Sequence, residues 1–148
     1  MPRTATTHRP AASPSARFSC EVEHHGDTPR VVVVGELDVA TAPVVDERLT
    51  ELTDAGARRL VLDLRQVSFL DVQGVHLAVA WSDRARSGGL AGFIVIAGEP
   101  GVQRIFDLTR TTSRIAFADA ATVPPARRRP LRRFARRRRG RRRVAERT

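Results

Sequence analysis

Apolar and polar positions change period along this chain, and the changes mark its elements. Phe18-Ser-Cys-Glu-Val-Glu alternates weakly and predicts a short strand. His24 to Pro29, with Gly26-Asp27 at its centre, predicts a turn. Arg30-Val-Val-Val-Val-Gly-Glu is a continuous β-branched run, the pattern of a strand buried on both faces. From Thr41 to Ala55 the period becomes helical: Val44, Val45, Leu49 and Leu52 share one stripe, with Asp46, Glu47, Arg48 and Glu51 opposite. Thr41 suits the N-cap, Pro43 the first turn and Gly56 the stop.

Arg59-Leu-Val-Leu-Asp-Leu predicts a second buried strand, and Val67-Ser-Phe-Leu an apolar return towards the core. Asp71 opens a helix over roughly Val72 to Arg86, closed by Gly88-Gly89. Gly92-Phe-Ile-Val-Ile-Ala predicts a third central strand. Glu99-Pro100 starts a helix through Leu108, whose apolar side is Val102, Ile105, Phe106 and Leu108. Ile115-Ala-Phe117 predicts a short strand, followed by a helical turn at Asp119–Ala121. Strands alternating with helices specify an α/β fold, here a small mixed sheet of about 4–5 strands packed with about 3–4 helices. The first two strands are joined by a tight turn and are therefore expected to be antiparallel.

Composition then divides the chain. Its 148 residues hold 26 basic residues, all Arg, against 16 Asp plus Glu, a formal net charge of +10. Thirteen of those Arg lie between Arg127 and Thr148 with Glu146 as the sole acid, so this stretch carries +12 and residues 1–126 carry −2. Residues 1–16, rich in Thr, Pro, Ala and Ser, and the Arg-rich residues 124–148 lack the apolar content for a core. Both are expected to be disordered, flanking one domain over residues 17–123. No apolar stretch approaches the ~18 residues of a spanning helix, and the first residues lack the apolar centre of a secretory signal. The single Cys20 excludes an internal disulfide and leaves too little thiol for structural zinc. A reduced, cytoplasmic setting is the expectation.

Candidate chemistry is sparse. Asp38 and Asp71 could form a carboxylate pair for acid–base work, but ordering a loop at the end of a strand is the simpler role for each. No Ser-His-Asp or Cys-His grouping has the spacing of an activated nucleophile. Gly88-Gly-Leu-Ala-Gly92 lacks the Lys and Ser/Thr of a phosphate loop. Cys20, His24 and His25 straddle a strand and a turn with no partner pair for a metal. Trp81, among Leu77, Ala78, Val79 and Ala80, reads as a core residue with its N–H at the rim. No catalytic, cofactor or metal site is expected, and the chain is not expected to be an enzyme.

Three segments in order carry more information. They are Gly35-Glu-Leu-Asp38, then Leu62-Asp-Leu with Val67-Ser-Phe-Leu-Asp71-Val-Gln-Gly74, then Pro100-Gly-Val-Gln-Arg-Ile-Phe-Asp-Leu-Thr109. Over roughly Phe18 to Ala121 this resembles the STAS domain, the fold of bacterial anti-sigma-factor antagonists. The resemblance implies a binding function: docking on an anti-sigma factor with a kinase-like fold, which frees the sigma factor it held. It also implies a switch, since in the family a Ser or Thr directly follows the aspartate that here is Asp71. The partner kinase phosphorylates that hydroxyl, and the added charge of about −1.5 to −2 breaks the complex.

This chain departs from the pattern at that position, reading Asp71-Val72-Gln73-Gly74. Val72 and Gln73 have no hydroxyl, and the nearest, Ser68, is a weak substitute. Ser and Val are similar in girth, and a neutral hydrogen bond contributes only ~0.5–1.5 kcal/mol net, so docking can survive the loss. His76 stands in the first turn of the helix, where the family usually has a small residue, and it requires a partner shaped for an imidazole. The expected partner-binding residues are Glu36, Asp38, Asp71, Val72, Gln73, Gly74 and His76. The expected function is an antagonist without the phosphoswitch; alternatives are a degenerate module in another complex and a nucleic-acid-associated protein acting through its tail. The run Arg127–Arg143 would engage any polyanion without base specificity, and neutralising about six DNA phosphates would give a log–log salt slope near −5. Acidic lipid headgroups or an acidic protein surface are equally open to it.

Overall fold

The Val31–Val34 run forms an interior strand of a sheet. In a computed structural model of the chain, which describes residues 17–122, it lies within strand β2 (Thr28–Leu37). β1 (Ser19–His25) pairs antiparallel with β2, and the register His25↔Thr28 closes a two-residue Gly26-Asp27 turn. Gly26 has φ +57°, the left-handed conformation that such a turn requires and glycine takes without strain. α1 (Ala42–Asp54) leads to β3 (Arg59–Leu70), α2 (Val72–Arg86) to β4 (Gly92–Ile96), and α3 (Pro100–Leu108) to the short β5 (Phe117–Ala118). Single 3-10 turns lie at Thr112–Arg114 and Ala120–Thr122. The segments 1–16 and 124–148, expected to be disordered, lie outside the described residues.

The sheet order is β1-β2-β3-β4-β5, with β2 to β5 mutually parallel, so the sheet is mixed as its turns require. Each helix crosses over to the next strand, and the uniform right hand of such crossovers brings the helices to one face. Val31 and Val33 of β2, Leu60, Leu62 and Leu64 of β3, and Phe93 and Val95 of β4 pack there against Val45, Leu49, Ala78, Trp81, Val102 and Phe106. The other face carries a buried charge, Asp63, which accepts from Arg65 Nη2 at 2.6 Å and Nε at 3.0 Å and lies 3.8 Å from Arg30 Nη1. Those hydrogen bonds raise the Arg65 pKa further, so Arg65 stays charged beside it. Among the described residues, no helix is long and apolar enough to cross a membrane.

Trp81 ties α2 to α1. Its ring is buried beside Phe93, and its Nε1–H donates to Asp46 Oδ1 at 2.8 Å. Trp81→Phe keeps most of the packing and strands the Asp46 acceptor. It is expected to cost about 1 kcal/mol, read as a lower midpoint in urea with an unchanged slope.

Three local expectations need correction. Val67–Leu70 is the continuation of β3 and not a separate return, because two register slips against β2 insert extra residues. Ile115 is a buried plug before the last strand, which starts at Phe117. Leu108 is 68 % exposed, since α3 buries chiefly Val102 and Phe106.

Candidate functional site

The parallel strands β2 and β3 end side by side, and the residues following them meet there. Gly35 has φ +91° and sits at the second register slip: Gly35 pairs with Val67 and Glu36 with Phe69, leaving Ser68 as the extra residue. A glycine inside a strand commonly marks such a bulge. Beyond it the chain turns through Leu37 to Thr41. The Asp38 carboxylate accepts from the backbone N–H of Ala40 (2.9 Å) and of Thr41 (3.0 Å). Thr41 precedes α1 as expected, but its hydroxyl makes no cap; it donates to Glu36 O (2.7 Å) and accepts from Asp38 N–H (2.9 Å). The hydroxyl therefore pins the loop to the strand it left.

Asp38 is consequently held below its ordinary pKa of 3.8, chiefly by the Thr41 backbone hydrogen bond and also by that of Ala40. A carboxylate with a depressed folded-state pKa contributes order that is present above the ordinary value and lost as pH falls through the folded one. Protection of the Ala40 and Thr41 amides, taken as exchange relative to the unstructured rate at each pH, is therefore expected to hold down to pH about 4 and to fall below it. Asp38→Ala should remove that pH dependence while leaving α2 unaffected.

On the neighbouring strand, Asp71 caps α2. Its carboxylate accepts from the N–H of Gln73 (2.8 Å) and Gly74 (3.3 Å), and its own N–H donates to Leu37 O (3.2 Å). That last bond fastens the start of α2 to the end of β2. Asp38 and Asp71 thus order loops, the role the sequence assigned to each. Val72, Gln73 and His76 are exposed on the first turn of α2, and Glu36 is exposed at the end of β2. Gly74 lies beneath this surface: a Cβ there would overlap Leu70 Cδ1 and stand 3.0 Å from Leu37 Cγ. Its contribution is to let the helix start sit directly on the ends of β2 and β3.

Val39, Phe69, Glu99 and Asp119 were not singled out from sequence as part of this site, whereas Val72 was. Val39 is 69 %, Phe69 52 % and Val72 48 % exposed, forming an apolar centre for the edge. Phe69 faces out because the bulge at Ser68 shifts the phase of the strand, against the expectation that the run turns wholly inward. Beside it lies a cavity of about 270 Å³ lined by Ser68, Phe69, Glu99, Gly101 and Ile105 among others. Acids follow the strands on this side: Glu36 and Asp38 at β2, Asp71 after β3, Glu99 after β4 on the same cavity as Phe69, and Asp119 after the shorter β5. No Arg occurs in residues 35–41, 67–76, 96–103 or 117–122. A larger open cleft of about 550 Å³ lies at the other end of the strands, between the β1–β2 turn and the α1–β3 connection, away from all of these residues.

Among the described residues there is no group of three metal-ligating side chains. The Cys20 thiol is pushed up by burial, opposed by Arg48, which leaves it protonated and a weak nucleophile. What the edge offers is an apolar centre with an acidic rim, built on strand ends and a helix start.

Comparison with known proteins agrees with this geometry. The STAS-domain family matches residues 19–121. The anti-sigma-B factor antagonist of Staphylococcus epidermidis is 31 % identical over 92 residues, covering 62 % of this chain and 84 % of that protein. Its counterpart in Staphylococcus aureus is 32 % identical over 79 residues, 53 % of this chain and 72 % of that one. The crystal structure of an anti-sigma factor antagonist from Mycobacterium paratuberculosis superimposes with a TM-score of 0.58 at 27 % identity, covering 72 % of this chain and 89 % of that one. With its mixed five-stranded sheet, its three helices and its Asp-capped second helix, this chain belongs to the STAS domain family.

Proposed function

We propose that this chain is a non-enzymatic antagonist of an anti-sigma factor, acting in the cytoplasm and docking through the C-terminal edge of its sheet without a phosphoswitch. Relatives that carry the antagonist's name support the role. The observation that carries the finer claim is Val72: exposed at the first position of α2, directly after the capping Asp71, where the family places its phosphorylated hydroxyl. The partner is an anti-sigma factor with a kinase-like fold, and Glu36, Asp38, Asp71, Val72, Gln73 and His76 face it, with Gly74 supporting them from below. The exposed His76 imidazole demands a recess in that partner. Without an acceptor hydroxyl at position 72, the kinase cannot end the complex, and antagonism is constitutive.

The test is phosphate transfer. Incubated with the anti-sigma kinase of the same organism and labelled ATP, the purified chain is expected to take up no phosphate. Val72→Ser is expected to become labelled at the new serine and then to lose partner binding. Stoichiometric label on Ser68 or on a threonine of the unaltered chain would overturn the proposal.

A further inference from the structure

We propose that the Arg-rich segment Arg127–Arg143 docks in cis on the acidic, apolar-centred edge of the sheet and competes there with the protein partner. Three observations carry this. The first is where the described chain ends. β5 runs parallel to β2, β3 and β4, so it points towards the end of the sheet that carries Asp38 and Asp71, with Ala118 level with Ile96, Asp63 and Val32 in the neighbouring strands. Strands stand about 4.8 Å apart and rise about 3.3 Å per residue, which puts the ends of β3 and β2 about 20 Å or more from Ala118. From Thr122 to Arg127 is five residues, enough to span up to about 17 Å. The sixteen further residues from Arg127 to Arg143 extend that span, so the Arg run is long enough to reach the whole edge.

The second observation is charge. Arg127–Arg143 holds twelve Arg and no acid, while the edge presents Glu36, Asp38, Asp71, Glu99 and Asp119 and no Arg. Helix capping accounts for Asp71 and loop ordering for Asp38, but Glu99 makes no side-chain cap and Glu36 is exposed. Guanidinium groups pair with carboxylates in the planar two-point geometry that makes Arg the stronger partner for such a rim. The third is apolar fit: Leu131 and Phe134 interrupt the Arg run, and the edge offers exposed Val39, Phe69 and Val72 beside the 270 Å³ cavity. Tethering makes the contact intramolecular, with effective concentrations reaching the millimolar range for a short connection.

The consequence for regulation rests on the docking role proposed above, since a partner must displace the segment. Its apparent affinity falls by the fraction of chains whose edge is open, tenfold if about one in ten is open. The contact itself is testable without any partner, so its failure would leave antagonism standing. In the full chain, Cys20→Ala and Ala135→Cys allow a nitroxide on the tail, with the ascorbate-reduced sample as the diamagnetic and folding reference. Amides of residues 36–40, 69–76 and 99 are expected to lose signal selectively, and those of the β1–β2 turn are not. The loss should vanish as ionic strength rises from about 0.1 to about 1 M, where screening shortens from about 10 to about 3 Å. It should also weaken in Glu36→Gln, Glu99→Gln, Asp119→Asn. Loss spread evenly over the domain, loss centred on the opposite end of the strands, or loss that survives the charge substitutions would overturn the proposal. So would loss appearing only between a spin-labelled chain and a separate isotope-labelled one.

Discussion

Val72→Asp is expected to weaken binding to the anti-sigma factor by about a hundredfold. The substitution places a carboxylate at the apolar centre of the docking edge, beside Asp71, where association would strip it of water without supplying a partner. An unpaired charge in that setting costs about 3 kcal/mol, which is about two powers of ten in affinity. The fold should not suffer. Position 72 is half exposed at the first residue of α2, and an acid in the first turn of a helix interacts favourably with its macrodipole. Thermal unfolding of the variant is therefore expected to match the parent chain. Val72→Ala is the control, removing apolar area alone and costing about 1 kcal/mol. Equal losses from the two substitutions, measured by titration calorimetry, would show that charge at this position is not what the partner senses.

Gly74→Ala should have the largest effect on stability among single-atom additions at the site. The new Cβ overlaps Leu70 Cδ1 and approaches Leu37 Cγ, side chains that are themselves buried and cannot swing into solvent. Overpacking of this kind costs about 1–3 kcal/mol, and each kcal/mol lowers the melting midpoint of a domain of this size by about 4–8 °C. Relief must come from lifting the first turn of α2, which would also pull Asp71 away from Leu37 O. Leu70→Val deletes the clashing atom, so the double substitution is expected to be less destabilised than the two singles added together. Strict additivity would mean that the helix start does not rest on Leu70.

Much of this fold can be read from period alone. The β-branched run at Val31–Val34, the helical stripe of Val45 and Leu49, and the Asp71 cap each specify their element through local chemistry. The bulge at Ser68 is different. Its only local sign is Gly35 on the neighbouring strand, and pairing across strands decides which residue is extra. Phe69 turns outward for that reason, so one of the three residues of the apolar centre was hidden from a reading of alternation. The acidic rim was hidden for another reason. Glu36, Asp38, Asp71, Glu99 and Asp119 leave four different strands, and only the shared direction of those strands gathers them at one end. Glu36, Asp38 and Asp71 could be placed on one surface through the resemblance to the STAS pattern, whereas Glu99 and Asp119 could not. Gly74 shows the remaining gap: its spacing from Asp71 was visible, but its reason is a packing contact with two side chains from β2 and β3.

This chain is expected to free a sigma factor from its anti-sigma factor, and ATP is not expected to stop it. The most direct test is to titrate the full chain into a preformed complex of the sigma factor and its anti-sigma factor and to follow released sigma factor by size exclusion. Release is expected to approach stoichiometric and to be the same whether or not the chain was first incubated with the anti-sigma factor and ATP. No release at any ratio, or release abolished by that incubation, would contradict the account.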